Sequence, residues 1–401
     1  MVRKEALDKF QKEIESIINQ KKLQFEERFQ ENQVEWCKQF SIDLLKSCEE
    51  IVRLQQQDQL GEIEYIQIVF LRIHLLENRP YLPILVANEK WWLDEQIQEV
   101  GQYHCPLVFQ IFSDLLQEAE PLRKKYIQKI LPIDAWHIIQ ESSFDFMFYL
   151  ERIAKKSIED IVQTEIFKQI QFGKQMKLYM GEYMNENHLI YQIHLKSRSE
   201  KEHEILLEKI RERKEEELCL QNLSQLTLND MDLKGSDFRF SDLSYNQMNQ
   251  TDLRYSLLIG AIFKHCQLNK ANFQYCLLNE ADFSYSQMND VHFVGSEANI
   301  GLQNEKVWEL PGYFPIRFTY ASLKRADFRN CKLKGAIFCY ADLEEADFRG
   351  SQLEGADFSF ANMKNAKFFS KQCAELKLSS EQRDQIQIDD SYEATYDFLW
   401  E

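Results

Sequence analysis

Large apolar side chains recur at every fifth position over the C-terminal part of the chain. An α-helix, with 3.6 residues per turn, would spread them around its surface, and a flat strand would send alternate ones to opposite faces. A square coil with one pentapeptide per side directs every one of them inward. The first run comprises Leu223, Leu228, Leu233, Phe238, Leu243, Met248, Leu253, Leu258, Phe263, Leu268, Phe273, Leu278, Phe283, Met288 and Phe293. The second run comprises Leu323, Phe328, Leu333, Phe338, Leu343, Phe348, Leu353, Phe358, Met363 and Phe368.

A mostly small residue stands two positions before each central apolar residue, as in ADLEEADFRGSQLEGADFSFANM. This pattern resembles the A(D/N)LXX motif of the pentapeptide-repeat family over about 150 residues, from about 221 to 370, with some 27 units. The resemblance implies a right-handed quadrilateral β-helix, a solenoid of ~7 coils. Leu and Phe alternate at the centres along much of the run, so we expect like residues to stack on like along opposite sides.

The repeat breaks at residues 299–315, and residues 316–320 (IRFTY) form one more, degenerate unit. Pro and Gly within the break indicate a loop that leaves the solenoid and returns. Two interpretations stay open, a tolerated surface insertion and a loop that contacts a partner. The candidate contacts are Trp308, Tyr313 and Phe314.

Residues 1–217 show no period of five, and their apolar residues fall near helical spacing. We expect an all-α domain with helices over residues 5–54 (one long helix or a helical pair), 63–77, 89–100, 107–119, 122–131 and a broken stretch over 133–183. A charged helix at about 196–217 would connect this domain to the solenoid of residues 218–370. The predicted fold class is therefore α+β multidomain, an all-α domain followed by a quadrilateral β-helix.

Residues 371–401 predict a short helix that closes the last coil, followed by an acidic, aromatic tail. The tail either docks on this chain or on a sister chain, which would give a homodimer, or folds only on a partner. Its candidate contacts are Tyr392, Tyr396, Phe398 and Trp400.

The formal net charge of −17 argues against direct nucleic-acid binding through phosphate neutralisation. Residues 219–370 contribute little to it, since they carry 18 acidic and 15 basic side chains, a net charge of −3. No stretch approaches 18 uninterrupted apolar residues, so no membrane span is expected. Nine cysteines without a CxxC spacing fit reduced thiols, and we expect a cytoplasmic, bacterial protein.

The chain shows no pattern of residues typical of catalysis. Its eight histidines form neither HExxH nor a zinc spacing, and glycine is too scarce for a phosphate-binding loop. Cys266, Cys276 and Cys331 replace alanine at the small position of the repeat, which indicates a structural role. We therefore expect no catalytic, cofactor or metal site, although an active site within residues 1–217 remains a further class of hypothesis.

Two function classes follow from this organisation. The first is a non-catalytic scaffold for protein–protein interaction, whose partner the residues do not identify. The alternative comes from the resemblance, because some pentapeptide-repeat proteins mimic duplex DNA and protect or inhibit a DNA topoisomerase, gyrase. A repeat region with a net charge near −3 weakens that alternative, which needs a long negative face.

Overall fold

The computed structural model describes residues 2–95, 97–183, 187–194, 200–212, 218–302 and 311–391. The contacts divide the chain into two units. The first comprises residues 1–197 and 304–312, and the second comprises residues 198–303 and 313–401. Within the described ranges, no helix combines the length and apolar character needed to cross a bilayer.

The helices of the first unit are dominated by α1, a single continuous helix of 54 residues. It buries a stripe that includes Phe10, Ile14, Phe25 and Phe29, at spacings of four and eleven residues that keep one helix face inward. The expected N-terminal helix is thus one long helix and not a pair. The helices are α1 (Arg3–Gln56), α2 (Arg72–Leu76), α3 (Pro106–Lys124), α4 (Pro132–Ile161) and α5 (Glu165–Lys168), with a 3₁₀ turn at Trp91–Leu93.

A five-stranded sheet completes the first unit, in the order β3-β2-β1-β4-β5. The central strand β1 pairs antiparallel with β2 and parallel with β4, and the other neighbours pair antiparallel. The helices α1 and α4 contact each other and also contact β3 and β5, respectively. The strands are β1 (Ile63–Phe70), β2 (Tyr81–Ala87), β3 (Gln98–His104), β4 (Phe172–Glu182) and β5 (Asn187–His194).

The first unit is rich in helix, as predicted, but the expectation that it is all-α is wrong. The helix predicted over 63–77 is β1 followed by the short α2, and the helix predicted over 89–100 is the 3₁₀ turn followed by the start of β3. The stretch 133–183 ends in β4. The separate helix predicted over 122–131 is the end of α3 followed by a turn. Strand β1 is buried on nearly every residue, including Glu64 and Gln67, so its sequence lacks the alternation of apolar and polar residues that identifies a strand.

The second unit contains the four-sided solenoid. Parallel bridges join residues 20 apart, as between Asp252 and Asn272, so one coil is four pentapeptides. Across the break the separation becomes 35, as between Asp282 and Arg317, so the inserted segment adds 15 residues and leaves the phase intact. Main-chain N–H groups reach the neighbouring coil on both sides, for example Leu253 N to Asn272 O at 2.8 Å. These ladders satisfy the buried backbone.

A β-turn forms each corner of the coil, closed by a hydrogen bond such as Ala261 N to Leu258 O at 3.0 Å. The residue two positions after each centre has a positive φ, between 55° and 81° over most of the solenoid. Gly260 shows why glycine occupies some of these corners, because a Cβ there would lie 2.4 Å from the ring of Phe240 on the coil before.

The solenoid axis is filled by the central residues, as the period of five predicted. Phenylalanine rings stack along two of the sides, for example Phe263 on Phe283 at 4.7 Å and Phe328 on Phe348 at 4.9 Å. The rings of the two stacks meet edge to face across the axis, as for Phe273 and Phe283. The expectation that like residues stack on like is confirmed.

Both ends of the solenoid are covered. The helix α6 (Glu200–Glu212) places Ile210 in the solenoid core at the first coil. At the other end, α7 (Ser370–Glu375) and α8 (Ser380–Gln385) lie beyond the last coil, and strands β6 (Lys367–Phe368) and β7 (Gln387–Ile388) pair in parallel. Terminal caps of this kind protect the open edges of a repeat array.

Candidate interaction surface

Six aromatic rings form a continuous stack along one corner of the solenoid, and we call this stack the aromatic ladder. Its members are Tyr245, His265, Tyr285, Tyr320, Tyr340 and Phe360. Successive ring centroids lie 4.8–5.2 Å apart, with interplanar angles of 10–12°. Each ring belongs to the positive-φ residue of its turn, so the repeated backbone conformation sets the ring spacing to the spacing of the coils.

The aromatic ladder is exposed to solvent along its whole length, from 47% for Tyr340 to 75% for Phe360. Stacking covers the ring faces, so the exposed area is contributed mainly by the ring edges. Each inner ring is held between two neighbours, and little side-chain entropy remains to be lost when a partner binds. The ladder is therefore a rigid, amphipathic surface.

A second corner carries a shorter aromatic stack, Tyr255 on Tyr275, with centroids 5.3 Å apart. A glycine, Gly295, takes the next position of this corner, and a Cβ there would lie 2.6 Å from the Tyr275 ring. The second stack is thus two rings long where the aromatic ladder is six.

On the side of the solenoid that follows the aromatic ladder, four successive coils carry a column of uncharged asparagine amides. Asn229, Asn249, Asn269 and Asn289 stack coil on coil, and each of the first three accepts the main-chain N–H of the next at 2.8–3.0 Å. The side-chain amide of each bonded asparagine thus replaces water as the partner of a backbone donor. This asparagine ladder stiffens the surface without adding charge.

Most of the outward aspartates of the repeat are paired with a cation. Seven of the nine at the position before the centre lie within 4.0 Å of a Lys or Arg nitrogen: Asp232, Asp237, Asp252, Asp282, Asp327, Asp342 and Asp347. On another outward position, Lys364 and Lys324 donate to the carboxylate of Glu344 and lower its pKa to about 2. The solenoid surface is therefore largely charge-compensated at short range.

The segment that interrupts the repeat begins and ends in an antiparallel pair. Gly301 and Tyr313 exchange two hydrogen bonds of 3.0 Å, and Phe314 N donates to Glu280 Oε1 at 3.0 Å. Tyr313 and Phe314 are only 8% and 4% exposed, so the structure places these two candidate contacts in the interior rather than on a free surface. Trp308 lies outside the described residues.

Gly312, the residue before Tyr313, belongs to the first unit. Its N–H donates to Glu26 Oε2 at 2.9 Å. Glu26 is 5% exposed and also accepts from Tyr149 Oη at 2.8 Å and from Gln30 Nε2 at 2.7 Å. A buried carboxylate needs such donors to offset the loss of hydration. Neither Glu26 nor this contact was identified from the sequence, because the two residues are 286 apart.

The acidic tail that the sequence analysis singled out lies outside the described residues. This applies to all four of its candidate contacts, Tyr392, Tyr396, Phe398 and Trp400. Their docking stays a prediction.

The three cysteines at the small position of the repeat are buried, and their thiols donate to main-chain carbonyl groups. For example, Cys276 Sγ lies 2.9 Å from Leu253 O. Burial raises the pKa of Cys266 and Cys276 to about 12, so neither is a thiolate nucleophile near neutral pH. In the part of the chain that the structure describes, no group of three or more His, Cys, Asp or Glu side chains could hold a metal ion.

The aromatic ladder was missed in the sequence, although a signal for it is present. Aromatic residues recur two positions after the centre, and those of one ladder are 20 residues apart except across the break. A sequence search at an interval of 20 residues, the length of one coil, would separate this corner from the other three, whereas a search at an interval of five mixes all four corners.

The repeats match the family model described as "Pentapeptide repeats", with eight copies over residues 222–258, 247–284, 261–296 and 331–368. Pentapeptide repeats imply a right-handed β-helix, in agreement with the four-sided coil. No curated protein sequence matches the chain.

Solved structures similar to this chain are pentapeptide-repeat proteins of low identity. Full-length QnrB1, a plasmid-mediated fluoroquinolone resistance protein, is 16% identical over 43% of this chain and 94% of its own, with a TM-score of 0.18. HetL from the cyanobacterium Nostoc sp. strain PCC 7120 is 17% identical over 36% and 91%, with a TM-score of 0.11. A protein from the Arabidopsis thaliana thylakoid lumen is 19% identical over 41% and 72%, with a TM-score of 0.12. At these TM-scores the matches support no conclusion about function.

Proposed function

We propose that this chain, whose residues 222–296 and 331–368 are pentapeptide repeats, is a non-catalytic scaffold that binds a protein partner through its solenoid. The observation that carries the proposal is the aromatic ladder, six exposed and mutually stacked rings on a rigid framework.

Exposed aromatic rings in a contiguous line favour protein recognition for two physical reasons. Tyrosine buries a large apolar area while its hydroxyl group keeps a hydrogen-bond partner, and it is therefore enriched where interfaces gain most of their energy. Rings that are already fixed by stacking also lose little entropy on binding. The asparagine ladder beside it adds hydrogen-bond donors and acceptors that carry no charge.

The charge pattern favours a protein partner over DNA mimicry. A DNA mimic needs uncompensated carboxylates along a face, whereas seven of the nine outward aspartates lie beside a Lys or Arg. For the alternative function, protection or inhibition of gyrase, we therefore expect no effect in a supercoiling assay with gyrase and a fluoroquinolone at micromolar excess of this protein. Protection of supercoiling in that assay would replace the scaffold proposal by the alternative.

A pair of double variants tests the ladder itself. Tyr285→Ser with Tyr320→Ser removes two adjacent ladder rings, and Tyr255→Ser with Tyr275→Ser removes the matched pair of the second corner. With a partner captured by the unaltered chain, we expect the ladder variant to bind at least about 10-fold more weakly, the loss of about 1.4 kcal/mol, while the control binds normally. Equal affinity of both variants and the unaltered chain would contradict the proposal.

The proposal also includes the inserted loop. Of the three candidate contacts in this loop, only Trp308 is retained. Because Tyr313 and Phe314 are buried, replacing them would disturb folding, and only Trp308→Ala tests recognition. We expect this variant to weaken capture of the same partner with unchanged thermal unfolding, and unchanged capture would remove the loop from the interface.

A further inference from the structure

An apolar groove of about 780 Å³ lies between α2, α3 and α4 of the first unit. Ala119 and Ala135, which are 1% and 5% exposed, form its floor. The lining is apolar except for two residues of α3. The walls comprise Leu76, Leu116, Ile133 and Trp136. A groove of this size and lining has the character of a binding site.

The rim of the groove exposes large apolar side chains. Leu76 and Ile133 line the groove and are nevertheless 57% and 50% exposed. Ile73, one helical turn before Leu76, is exposed as well, and so are Ile127 and Leu131 in the turn that leads to Ile133. Apolar side chains left in water around a concave surface mark a place where a partner removes them from water.

The segment that joins α3 to α4 is basic, although the chain as a whole has a formal net charge of −17. We call residues 121–133 the basic turn, because they contain no acidic residue and four basic ones. The basic residues are Arg123, Lys124, Lys125 and Lys129. The basic turn borders the groove directly, since Ile133 belongs to both.

Two acidic residues beside the groove are paired with cations. Glu120, which lines the groove, accepts a hydrogen bond from Arg123 Nε at 2.7 Å and lies 3.5 Å from Lys124 Nζ. Asp134 lies 3.2 Å from Arg3 Nη2. These two carboxylates offset only part of the charge of the basic turn and Arg3, so this side of the groove is positive.

We propose that this groove binds an amphipathic helix of a partner protein, with the apolar face of that helix in the groove and its acidic side chains beside the basic turn. Leu116 and Ala119 on α3, and Ile133 and Trp136 on α4, follow one another at intervals of three residues, so each helix presents a ridge to the groove. A third helix packs between two such ridges as in a helix bundle. The site lies in the first unit and is independent of the aromatic ladder.

The shape of the groove favours a helix over a membrane surface as its occupant. A flat bilayer surface would contact the exposed rim but not Ala119 and Ala135 at the floor, whereas the side chains of a helix reach between the two ridges. The charge of the basic turn selects the partner further, because cationic side chains placed beside Lys124 and Lys125 would bring like charges together. An acidic helix is attracted by the same two lysines.

Binding of two synthetic peptides to the full-length protein, measured by fluorescence anisotropy, tests the proposal. Each peptide has about 18 residues, or about five helical turns, with leucine at positions i, i+3, i+4 and i+7. One peptide carries glutamate on both flanks of the leucine stripe, and the other carries lysine. We expect the glutamate peptide to bind at least about 10-fold more tightly than the lysine peptide, with a difference that shrinks as salt is added.

Variants at exposed positions separate the apolar contribution from the charged one. Ile133→Glu and Leu76→Glu each place a charge on an apolar wall and should weaken binding of the glutamate peptide at least about 10-fold. Lys124→Glu with Lys125→Glu should weaken binding of the glutamate peptide and tighten that of the lysine peptide, at unchanged thermal unfolding. Val34→Glu, at an exposed apolar position of α1 that does not line the groove, is the matched control and should leave both affinities unchanged.

Four results would overturn the proposal. The first is equal affinity of the unaltered chain for the two peptides, or binding of neither. The second is an equal loss of binding in the Ile133→Glu and Val34→Glu variants. The third is binding to vesicles of phosphatidylcholine and phosphatidylglycerol that Ile133→Glu abolishes, which would make a membrane surface the occupant. The fourth is a concentration-dependent dimer in sedimentation that Ile133→Glu abolishes, which would make the occupant a second copy of this chain.

Discussion

The two units of this chain differ in how far along the sequence their contacts reach. In the solenoid the partner of almost every residue is 20 positions away, or 35 across the break. In the first unit, Gln55 donates to the backbone of Gln171 and Tyr149 donates to Glu26, at separations of 116 and 123 residues that share no common interval. A fixed separation leaves a period in the sequence, whereas variable separations leave none.

The same difference predicts how each unit responds to damage. A coil contacts only its neighbours, so the free energy of the solenoid is close to a sum of coil and interface terms. The sheet of the first unit joins β1 to β4 in parallel over more than 100 residues, and such non-local pairing forms and breaks as a whole. Variants in each unit test whether the two units differ in this way.

The largest effect is expected for Phe283→Arg, at the axis of the middle coils. The ring of Phe283 contacts stacked and edge-on rings above, below and across the axis. The variant loses these contacts and buries an unpaired charge, which should cost more than about 5 kcal/mol. We expect loss of the solenoid transition in thermal unfolding followed by circular dichroism, with the transition of the first unit retained.

Phe283→Leu is the matched control for this prediction. Leucine already fills the axis on the same side at Leu243, so the variant should cost about 1 kcal/mol. An unchanged solenoid transition in Phe283→Arg would show that the centres do not face the axis.

In the first unit, Ile68→Ala should cost about 3 kcal/mol, because Ile68 is buried in the central strand β1. The loss should appear in urea unfolding as a shift of one transition for the whole unit. Ile73→Ala, at a half-exposed position of α2, serves as control and should change little. Unfolding of the first unit in several steps would contradict the view that its sheet is one cooperative body.

Two glycine variants separate backbone strain from crowding in the solenoid turns. Gly355 has a φ of +72°, and a Cβ added there has no atom within 4 Å. Gly355→Ala should therefore lower the free energy of unfolding by about 1 kcal/mol, through backbone strain alone. Gly260 has a φ of +65°, and a Cβ added there would lie 2.4 Å from the ring of Phe240. Gly260→Ala should lower the free energy of unfolding by about 2–3 kcal/mol, because crowding adds to the backbone strain. Equal shifts of the urea midpoint in the two variants would mean that the ring of Phe240 moves aside without lowering the stability of the solenoid.

The smallest effects concern two carboxylates whose pKa is lowered from 4.5 to about 2, Glu344 by Lys364 and Lys324, and Glu120 by Arg123. A lowered folded-state pKa contributes stability that is fully present above the unfolded value and is lost as pH falls towards the folded value. The advantage of the unaltered chain over Glu344→Gln or Glu120→Gln should therefore be complete above pH 5 and shrink between about pH 4.5 and 2.

Those two variants should act on different units, as measured by urea midpoints across that pH range. Glu344→Gln should shift the transition of the solenoid, and Glu120→Gln that of the first unit. A pH-independent difference would mean that neither ion pair stabilises the folded state.

The strands of the first unit show why the prediction of an all-α domain was wrong. Strand β1 contains four β-branched residues, Ile63, Ile66, Ile68 and Val69, and this composition favours a strand over a helix. Apolar spacing alone gave the wrong answer, since both faces of the strand are buried and the alternation that identifies a strand is absent. The buried carboxylate of Glu26 accepts hydrogen bonds from Tyr149 and Gly312. No local sequence pattern indicates that these three residues lie close together.

The amino-acid sequence determined the solenoid, the phase of its repeat across the break, the inward direction of Leu253 and Phe348, and the structural place of Cys276. These follow from short-range sterics repeated at a constant interval, so one unit predicts the next. Only the tertiary structure decided that one corner aligns six rings into a ladder and that Tyr313 and Phe314 are buried. Those features depend on which side chains meet from separate coils or distant segments, and that meeting is a property of the folded chain.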